Sequence, residues 1–379
     1  MNKTYCAAPW HGLHINPFGN VKTCCAGDPN ILGNLNTQGI NEILHGKKLQ
    51  EIRATLKQGR MHEEYCYNCI QAERYGRSER DWHNSVSEDF DPTSAELDYH
   101  RPVLVDVRWN ITCNQSCNYC GDKCSSKWAT LKGIPFKSQV RPYYQQVHNY
   151  LEQYQNWMRE VALVGGEPLL LPENERLLDI IPDDITVTVI TNLSMDLSKN
   201  KVFKKLENRS HVGWSLSFDN INERYEYVRY GGKWDQLEHN IQKLRSLFNQ
   251  GHWGGIHAVY NLYNATCLNE FTDWARSQQL EIQWQSLYQP SYLDPLKHNK
   301  QVKQLAINEI EKLLDRTDLT VGERDFFISA LNNFNSAEEQ DEALKLAQHI
   351  HDIETLYHTD KAGYFLQLWP ELACALGPL

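Results

Sequence analysis

Between about residue 101 and residue 290 the chain alternates two hydrophobic rhythms. Short β-branched or apolar runs occur at Val103–Val107, Val161–Val164, Ile185–Thr191, Trp214–Phe218, Ile256–Tyr260 and Ile282–Leu287. Between them lie stretches whose apolar residues recur every three or four positions. Val147, Tyr150, Leu151, Tyr154 and Met158 share one such face, Leu177, Leu178 and Ile181 another, and Phe203 and Leu206 a third. Leu237, Ile241, Leu244 and Leu247 mark a fourth, and the segment from Phe271 to Ser277 a fifth. The first rhythm predicts buried strands and the second amphipathic helices. Six strand–helix units with connections too long for hairpins predict a parallel sheet with right-handed crossovers, and a closed or nearly closed α/β barrel is the natural architecture.

The flanks read differently. Residues 1–80 are rich in Gly and Asn at first, and Ile40, Ile43, Leu44, Leu49, Ile52 and Leu56 predict one or two short amphipathic helices. The polar stretch from Arg77 to His100 carries Ser, Asp and Pro and reads as a linker, assigned to 81–100. Residues 291–379 read as a helical extension, with a stripe through Val302, Leu305, Ala306, Ile310, Leu313 and Leu314, a helix at Ala343–Ile353 and an aromatic tail at Tyr364–Trp369. The tail is expected to pack on the barrel, and the carboxylates at Glu173–Glu175 and Glu338–Glu339 to lie on solvated helix faces. The division is therefore 1–80, 81–100, 101–290 and 291–379.

A formal net charge of −10 argues against a general affinity for nucleic acid or an anionic membrane. No run approaches the roughly 18 apolar residues that span a bilayer. No secretory signal is visible from Met1 to Trp10, so the expected compartment is cytoplasmic. There, clustered cysteines are metal ligands or catalytic groups more often than disulfides. The eleven cysteines fall into two groups, Cys6, Cys24, Cys25, Cys66 and Cys69, then Cys113, Cys117, Cys120 and Cys124, with Cys267 and Cys374 alone. Two groups imply two metal centres.

The second group follows the first barrel strand as Cys113-Asn-Gln-Ser-Cys117-Asn-Tyr-Cys120. Three thiolates at spacings of four and three converge on one site from a single loop, and soft thiolates select iron–sulfur clusters or zinc. Three ligands rather than four leave one metal position open for chemistry. The competing reading is a structural zinc site completed by Cys124.

This CxxxCxxC loop, with Tyr119 before its third Cys, resembles that of the radical S-adenosylmethionine (SAM) superfamily. The resemblance covers most of residues 101–290. Gly165-Gly166-Glu167-Pro168, after the second strand, looks like the family's GGE motif. Thr191-Asn192 ends the third strand, and Ser215-Leu216-Ser217-Phe218-Asp219 is similar to a fourth-strand S-x-D-G segment in which Asn220 replaces the Gly. The resemblance implies a partial (β/α)6 TIM-like barrel whose Cys113, Cys117 and Cys120 hold a [4Fe–4S] cluster. It also implies that SAM is held by the open iron and by Tyr119, Gly165, Gly166, Glu167, Pro168, Asn192, Ser215 and Ser217. Glu167 is expected to accept hydrogen bonds from the SAM ammonium. For Asn192, Ser215 and Ser217 the plainer reading is a strand-end polar group bonding local backbone.

The first group reads Cys6-x-x-Pro9-Trp10, Gly19-x4-Cys24-Cys25, Gly33-Asn34-Leu35, a helix carrying Arg53, and Cys66-x-x-Cys69. This order resembles the auxiliary-cluster module called SPASM, or twitch in its shortened form, which in most relatives follows the barrel rather than preceding it. The resemblance implies a second [4Fe–4S] cluster on Cys6, Cys24, Cys66 and Cys69, with Cys25 spare. A four-thiolate zinc knuckle is the alternative. Cys267 and Cys374 read as structural cysteines; Arg224, Tyr225, Arg229 and Trp234 are further candidates near substrate or SAM.

The expected activity is reductive SAM cleavage to a 5′-deoxyadenosyl radical and hydrogen abstraction from a substrate carbon, with a peptide preferred over a sugar or nucleotide derivative. A low-potential donor such as flavodoxin or ferredoxin would supply the electron. The competing class is a non-catalytic zinc or iron–sulfur redox-sensing protein.

Overall fold

Strands occupy all six predicted positions. The structure, a computed structural model, describes residues 5–25, 31–73, 79–87, 99–136, 141–287, 289–336, 341–357 and 363–377. Its strands are β1 (Gly12–Ile15), β2 (Asn20–Lys22), β3 (Gly33–Asn34), β4 (Leu104–Val107), β5 (Ser116–Cys117), β6 (Glu160–Leu163), β7 (Thr186–Thr191), β8 (Val212–Ser217), β9 (Arg229–Tyr230), β10 (His252–Tyr260) and β11 (Ile282–Ser286). β4, β6, β7, β8, β10 and β11 pair in parallel in that order. The intervening helices are Tyr144–Gln153, Pro172–Ile180, Lys201–Leu206, Trp234–Phe248 and Leu268–Ser277. This is the six-stranded partial barrel that the alternation predicts.

One face of the sheet is apolar because successive side chains point to opposite sides. Val105, Val107, Val161, Leu163, Val187, Val189, Trp214 and Leu216 are buried in one core with helix residues such as Leu151, Phe203, Leu237 and Phe271. The other face carries polar groups. Lys22, His14, Asp106, Ala162, Thr188 and Gly213 stand in register across five strand pairings. At Gly213 a Cβ would lie 3.0 Å from the Trp253 indole, a tight approach.

The N-terminal segment joins this sheet. β1 runs parallel to β4, from Gly12 beside Leu104 to Ile15 beside Val107, and β2 and β3 follow as antiparallel neighbours. The result is one nine-stranded sheet in the order β3-β2-β1-β4-β6-β7-β8-β10-β11. The expected helical insert is present as Ile40–Leu44 and Lys47–Lys57.

The stretch read as a linker, 81–100, begins inside a helix, Glu79–Val86. Its polar residues are anchors: Asn84 Oδ1 accepts from Ala7 N at 2.8 Å, and Asn84 Nδ2 donates to Tyr5 O at 3.2 Å. A helix held by side-chain hydrogen bonds shows no apolar stripe to read. Residues 88–98 of that stretch lie outside the described residues.

In the C-terminal region, Lys300–Leu314 and Val321–Ser336 add Ala306, Ile310, Leu313, Phe327 and Phe334 to the main core. Helices Ala343–Tyr357, Tyr364–Leu368 and Pro370–Leu376 form a second core with Trp128, Tyr227 and Tyr263. The aromatic tail packs on the barrel, with Trp369 Nε1 donating to Tyr263 O at 2.7 Å. Glu173 departs from its expected solvated position and is buried in the first turn of its helix; Glu338 and Glu339 lie outside the described residues. No helix among the described residues is long and apolar enough to cross a membrane.

Candidate functional site

The loop after β4 is held from both sides. Ser126 N–H donates to Ile111 O at 2.7 Å, and Cys113 N–H donates to the Ser126 hydroxyl at 3.1 Å. Ser125 Oγ donates to Gln115 O at 2.6 Å, and Trp128 Nε1 to Cys117 O at 2.9 Å. On its other flank β5 pairs with β9, Cys117 opposite Arg229, and Asn118 N–H donates to Val228 O at 2.8 Å. Cys113, Cys117 and Cys120 are all half-buried on this loop, whereas Cys124 is exposed. Burial pushes the Cys113 thiol up to about 12. Ligation as thiolates therefore releases protons and opposes a real desolvation cost. The exposed Cys124 thiol hydrogen-bonds Cys120; three half-buried thiols on one held loop are a donor set that suits a cluster with one open iron.

The Gly-Gly turn packs directly under this loop. Gly165 has φ +137°, a conformation for glycine, and a Cβ on Gly166 would lie 2.3 Å from Thr112 O. Glu167 N–H donates to Thr112 O at 2.7 Å, so β6 and the start of the cysteine loop are tied together. The Glu167 carboxylate turns inward. It accepts from Leu169 N at 3.1 Å, Thr191 Oγ1 at 2.7 Å and Asn192 N at 2.8 Å. Burial raises its acid to about 7 against these donors. In this arrangement Glu167 fixes the end of β7. Pro168 starts the short turn Pro168–Leu170 and its carbonyl accepts from Asn174 Nδ2 at 2.9 Å.

Asn192, at the end of β7, reaches the loop: Nδ2 lies 2.9 Å from Asn114 Oδ1 and 3.8 Å from Cys113 Sγ. Its Oδ1 accepts from Ser194 N and Oγ. Tyr119 donates its hydroxyl to Asp219 Oδ2. Asp219 is fully buried and is the hub that the sequence left unassigned. It accepts from Val259 N at 2.7 Å and from Arg229 Nε and Nη2 at 3.2 and 3.0 Å. Arg229 Nη1 in turn points at Cys117 Sγ, 3.7 Å away. Asp219 lay within a recognised motif, but its pairing with Arg229 had no local sequence signal. Asn220, the Gly replacement, accepts from the Cys267 thiol at 3.4 Å and is buried with it.

Ser215 and Ser217 are half-buried on the same side of β8 as Gly213. Ser215 lines a cavity of about 1250 Å³ that also touches Trp253 and Tyr260 of β10, Gln283 and Trp284 of β11, and Phe326 of helix Val321–Ser336. None of its lining residues is a cysteine.

The other cysteines assemble at a second place. Cys6, Cys24, Cys66 and Cys69 line one small cavity together with Tyr65, Arg80 and His83. Cys25 is exposed and is not in that wall. Arg53 Nε donates to Pro9 O at 3.0 Å and its guanidinium lies over Trp10, which links the insert helix to the Pro-Trp pair. Burial pushes Cys6 up to about 12 and Cys69 to about 11. Four thiols around one cavity suit a fully ligated cluster. Among the described residues no three His, Cys, Asp or Glu side chains converge tightly on a single ion position.

The two sites lie at opposite ends of the strands. Cys6 precedes β1, and Cys24 follows β2, which runs back to the same end. Cys113 follows β4, which is parallel to β1. Between the sites, Asp106 accepts from Arg108 Nη2 and bonds His14 Nδ1, both at 2.9 Å. Burial opposes it, but Arg108 and His14 hold the Asp106 carboxyl well below the usual range.

A family profile for the radical SAM superfamily matches residues 110–266, and one for an iron–sulfur cluster-binding domain, SPASM, matches residues 6–70. Among solved structures, Streptococcus suis SuiB is similar at 15% identity over 58% of this chain and 48% of that one, with a TM-score of 0.42. SuiB bound to its precursor peptide SuiA matches at 12% identity over 77% and 65%, with a TM-score of 0.40. The anSMEcpe structure with bound AdoMet matches at 19% identity over 54% and 57%, with a TM-score of 0.39. This chain spans about half the length of the first of these structures. No match was found among curated protein sequences.

Proposed function

The chain belongs to the radical SAM superfamily and carries a SPASM domain before its barrel, and from that premise we propose that it is an enzyme that activates a carbon of a peptide substrate. Cys113, Cys117 and Cys120 would hold the catalytic [4Fe–4S] cluster, and Cys6, Cys24, Cys66 and Cys69 the auxiliary one. When bound, the catalytic cluster and SAM supply a 5′-deoxyadenosyl radical and methionine, on transfer of one electron from an external low-potential donor.

The observation that carries this reading is the glycine turn at Gly165–Gly166 bonded beneath a three-cysteine loop. Without Cβ atoms the turn lies against the backbone of Ile111 and Thr112, which seats the cysteine loop on it. Asn192 and Asn114 orient polar groups beside Cys113, and Tyr119 is fixed by Asp219 at the loop's far end. The peptide preference rests on the cavity at β11. It is larger than the usual 300–1,000 Å³ of a small-molecule site, runs between the last strand β11 and helix Val321–Ser336, and reaches Ser215.

Anaerobic reconstitution followed by dithionite-dependent 5′-deoxyadenosine formation tests the chemistry. About eight irons per chain, falling to about four in Cys113→Ala/Cys117→Ala/Cys120→Ala with loss of SAM cleavage, is the expected result. Zinc at both sites and no cleavage would overturn it. Deuterium transfer into 5′-deoxyadenosine from a deuterated peptide digest, and not from deuterated sugars and nucleosides, tests the substrate class.

A further inference from the structure

The auxiliary cavity has a wall that its cysteines do not explain. Helix Glu79–Val86 borders it with Arg80 and His83, three residues apart and so on one helical face. The Arg80 guanidinium is engaged, with Nε 2.5 Å from Glu73 Oε1, Nη2 2.6 Å from Glu73 Oε2 and Nη1 3.3 Å from Tyr5 O. His83 is different. It is 3% exposed, and among the described residues its Nε2 has no hydrogen-bond partner. A buried polar nitrogen in that state carries its full desolvation cost, and native proteins keep few such groups. Its ring is also confined: a Cβ on Gly12 would lie 3.1 Å from His83 Cε1, and Trp82 sits with its ring centroid 5.4 Å away.

The polar atoms that Nε2 could meet within the cavity are dominated by sulfur. The wall consists of Cys6, Cys24, Cys66 and Cys69 with apolar Ala8, Pro9, Leu56 and Met61, and Thr23 and Tyr65 already bond each other. We propose that the His83 Nε2–H donates a hydrogen bond to a sulfur of the auxiliary [4Fe–4S] cluster and thereby raises its reduction potential. The proposal rests on reading that site as an iron–sulfur centre. Hydrogen bonds to cluster sulfurs favour the reduced, more negative state, and so set the potential. Four thiolates fill the four iron corners, so His83 is a positioning residue and not a ligand. Arg80, neutralised by Glu73, lends the same wall a fixed dipole.

The test uses the full chain with Cys113→Ala/Cys117→Ala/Cys120→Ala, which leaves the auxiliary centre alone after anaerobic reconstitution. About four irons per chain are expected; zinc or no metal would overturn the iron–sulfur reading and the inference with it. In that background, an EPR-monitored redox titration compares His83→Phe and His83→Gln with the parent. His83→Phe is expected to cut the reduced-to-oxidised ratio at a fixed potential about tenfold, a shift of about 59 mV for one electron. His83→Gln, which keeps a donor, should recover part of that shift. Four irons with an unchanged potential in His83→Phe would overturn the role of His83 while leaving the cluster in place. Should His83→Phe hold no iron, pulsed EPR of the parent chain labelled with 15N-histidine decides: a nitrogen coupling to the reduced cluster supports the bond, and its absence overturns it.

Discussion

The two cysteine sites are built on opposite plans. In the loop after β4, Cys113, Cys117 and Cys120 come from one stretch of backbone, and hydrogen bonds from Ser125, Ser126, Trp128 and Asn118 hold that stretch. At the other end of the strands, Cys6, Cys24, Cys66 and Cys69 come from three distant stretches. A small apolar cluster of Ala8, Trp10, Ile52, Leu56 and Tyr65 gathers them. A local chelate needs only its own loop to be held in place. A dispersed chelate depends on tertiary packing, so metal binding and folding are coupled there more tightly.

Cysteine removal should expose that difference most visibly. Cys117→Ala is expected to abolish SAM cleavage while leaving about four irons and an intact fold. Cys66→Ala/Cys69→Ala should retain measurable cleavage but expose the segment before β4 to limited proteolysis. Equal protease resistance of the two variants would contradict the contrast between local and dispersed chelates.

Next in size is the buried pair behind the catalytic loop. Arg229→Leu leaves Asp219 buried beside Tyr119 without its cation, and should cost about 3–5 kcal/mol of unfolding free energy. Urea titration of the metal-free chain measures it. A loss comparable to that of an ordinary surface substitution would mean that Tyr119 and Val259 suffice to hold Asp219.

The two ends should also answer pH in opposite senses. Near the auxiliary site, burial lowers His11 and His83 to about 4 and His100 to about 3. Depressed bases add stability that is complete above their unfolded value near 6.5 and is lost as pH falls toward the folded values. The slope is about 1.4 kcal/mol per pH unit for each histidine. Glu167 is raised by burial to about 7, so its contribution is complete below the ordinary carboxylate value of 4.5 and is lost as pH rises through 7. Urea midpoints of the metal-free chain at pH 5 and pH 7, with and without Glu167→Gln, separate the two; the variant should lose only the alkaline part.

The smallest expected effect distinguishes adjacent residues. Cys25→Ser should change stability by no more than about 0.5 kcal/mol and leave the iron content intact, whereas Cys24→Ser should remove the auxiliary iron. Iron analysis of the two variants is sufficient.

The barrel was legible because each of its six parallel strands is a β-branched or apolar run and each helix read between them a periodic stripe; the short pair β5–β9 and the helices Ser126–Leu131 and Asn222–Val228 were not foreseen. Nor were the N-terminal strands. β1, β2 and β3 have two to four residues each, too few to show an alternation. The pairing of β1 with β4 crosses about ninety positions that no local pattern records. Helix Glu79–Val86 was hidden by its polarity, because Asn84 and Arg80 fix it through hydrogen bonds and His83 is its buried residue. At the sites, the cysteines and glycines announced themselves by spacing. The Arg229–Asp219 pair and the inward turn of Glu167 did not, since each depends on where a distant strand end comes to rest.

The pairing of β1 with β4 has a consequence for solubility. The first strand of a parallel barrel ordinarily needs a cover for its outer edge, and here that cover is the segment carrying Cys6 and Cys24. A barrel stripped of it would present Leu104-Val105-Asp106-Val107 as an open row of backbone donors and acceptors, a template for strand addition between copies. The same residues that position the auxiliary thiols thus serve as a guard against aggregation, which ties the integrity of the metal site to the colloidal behaviour of the whole chain.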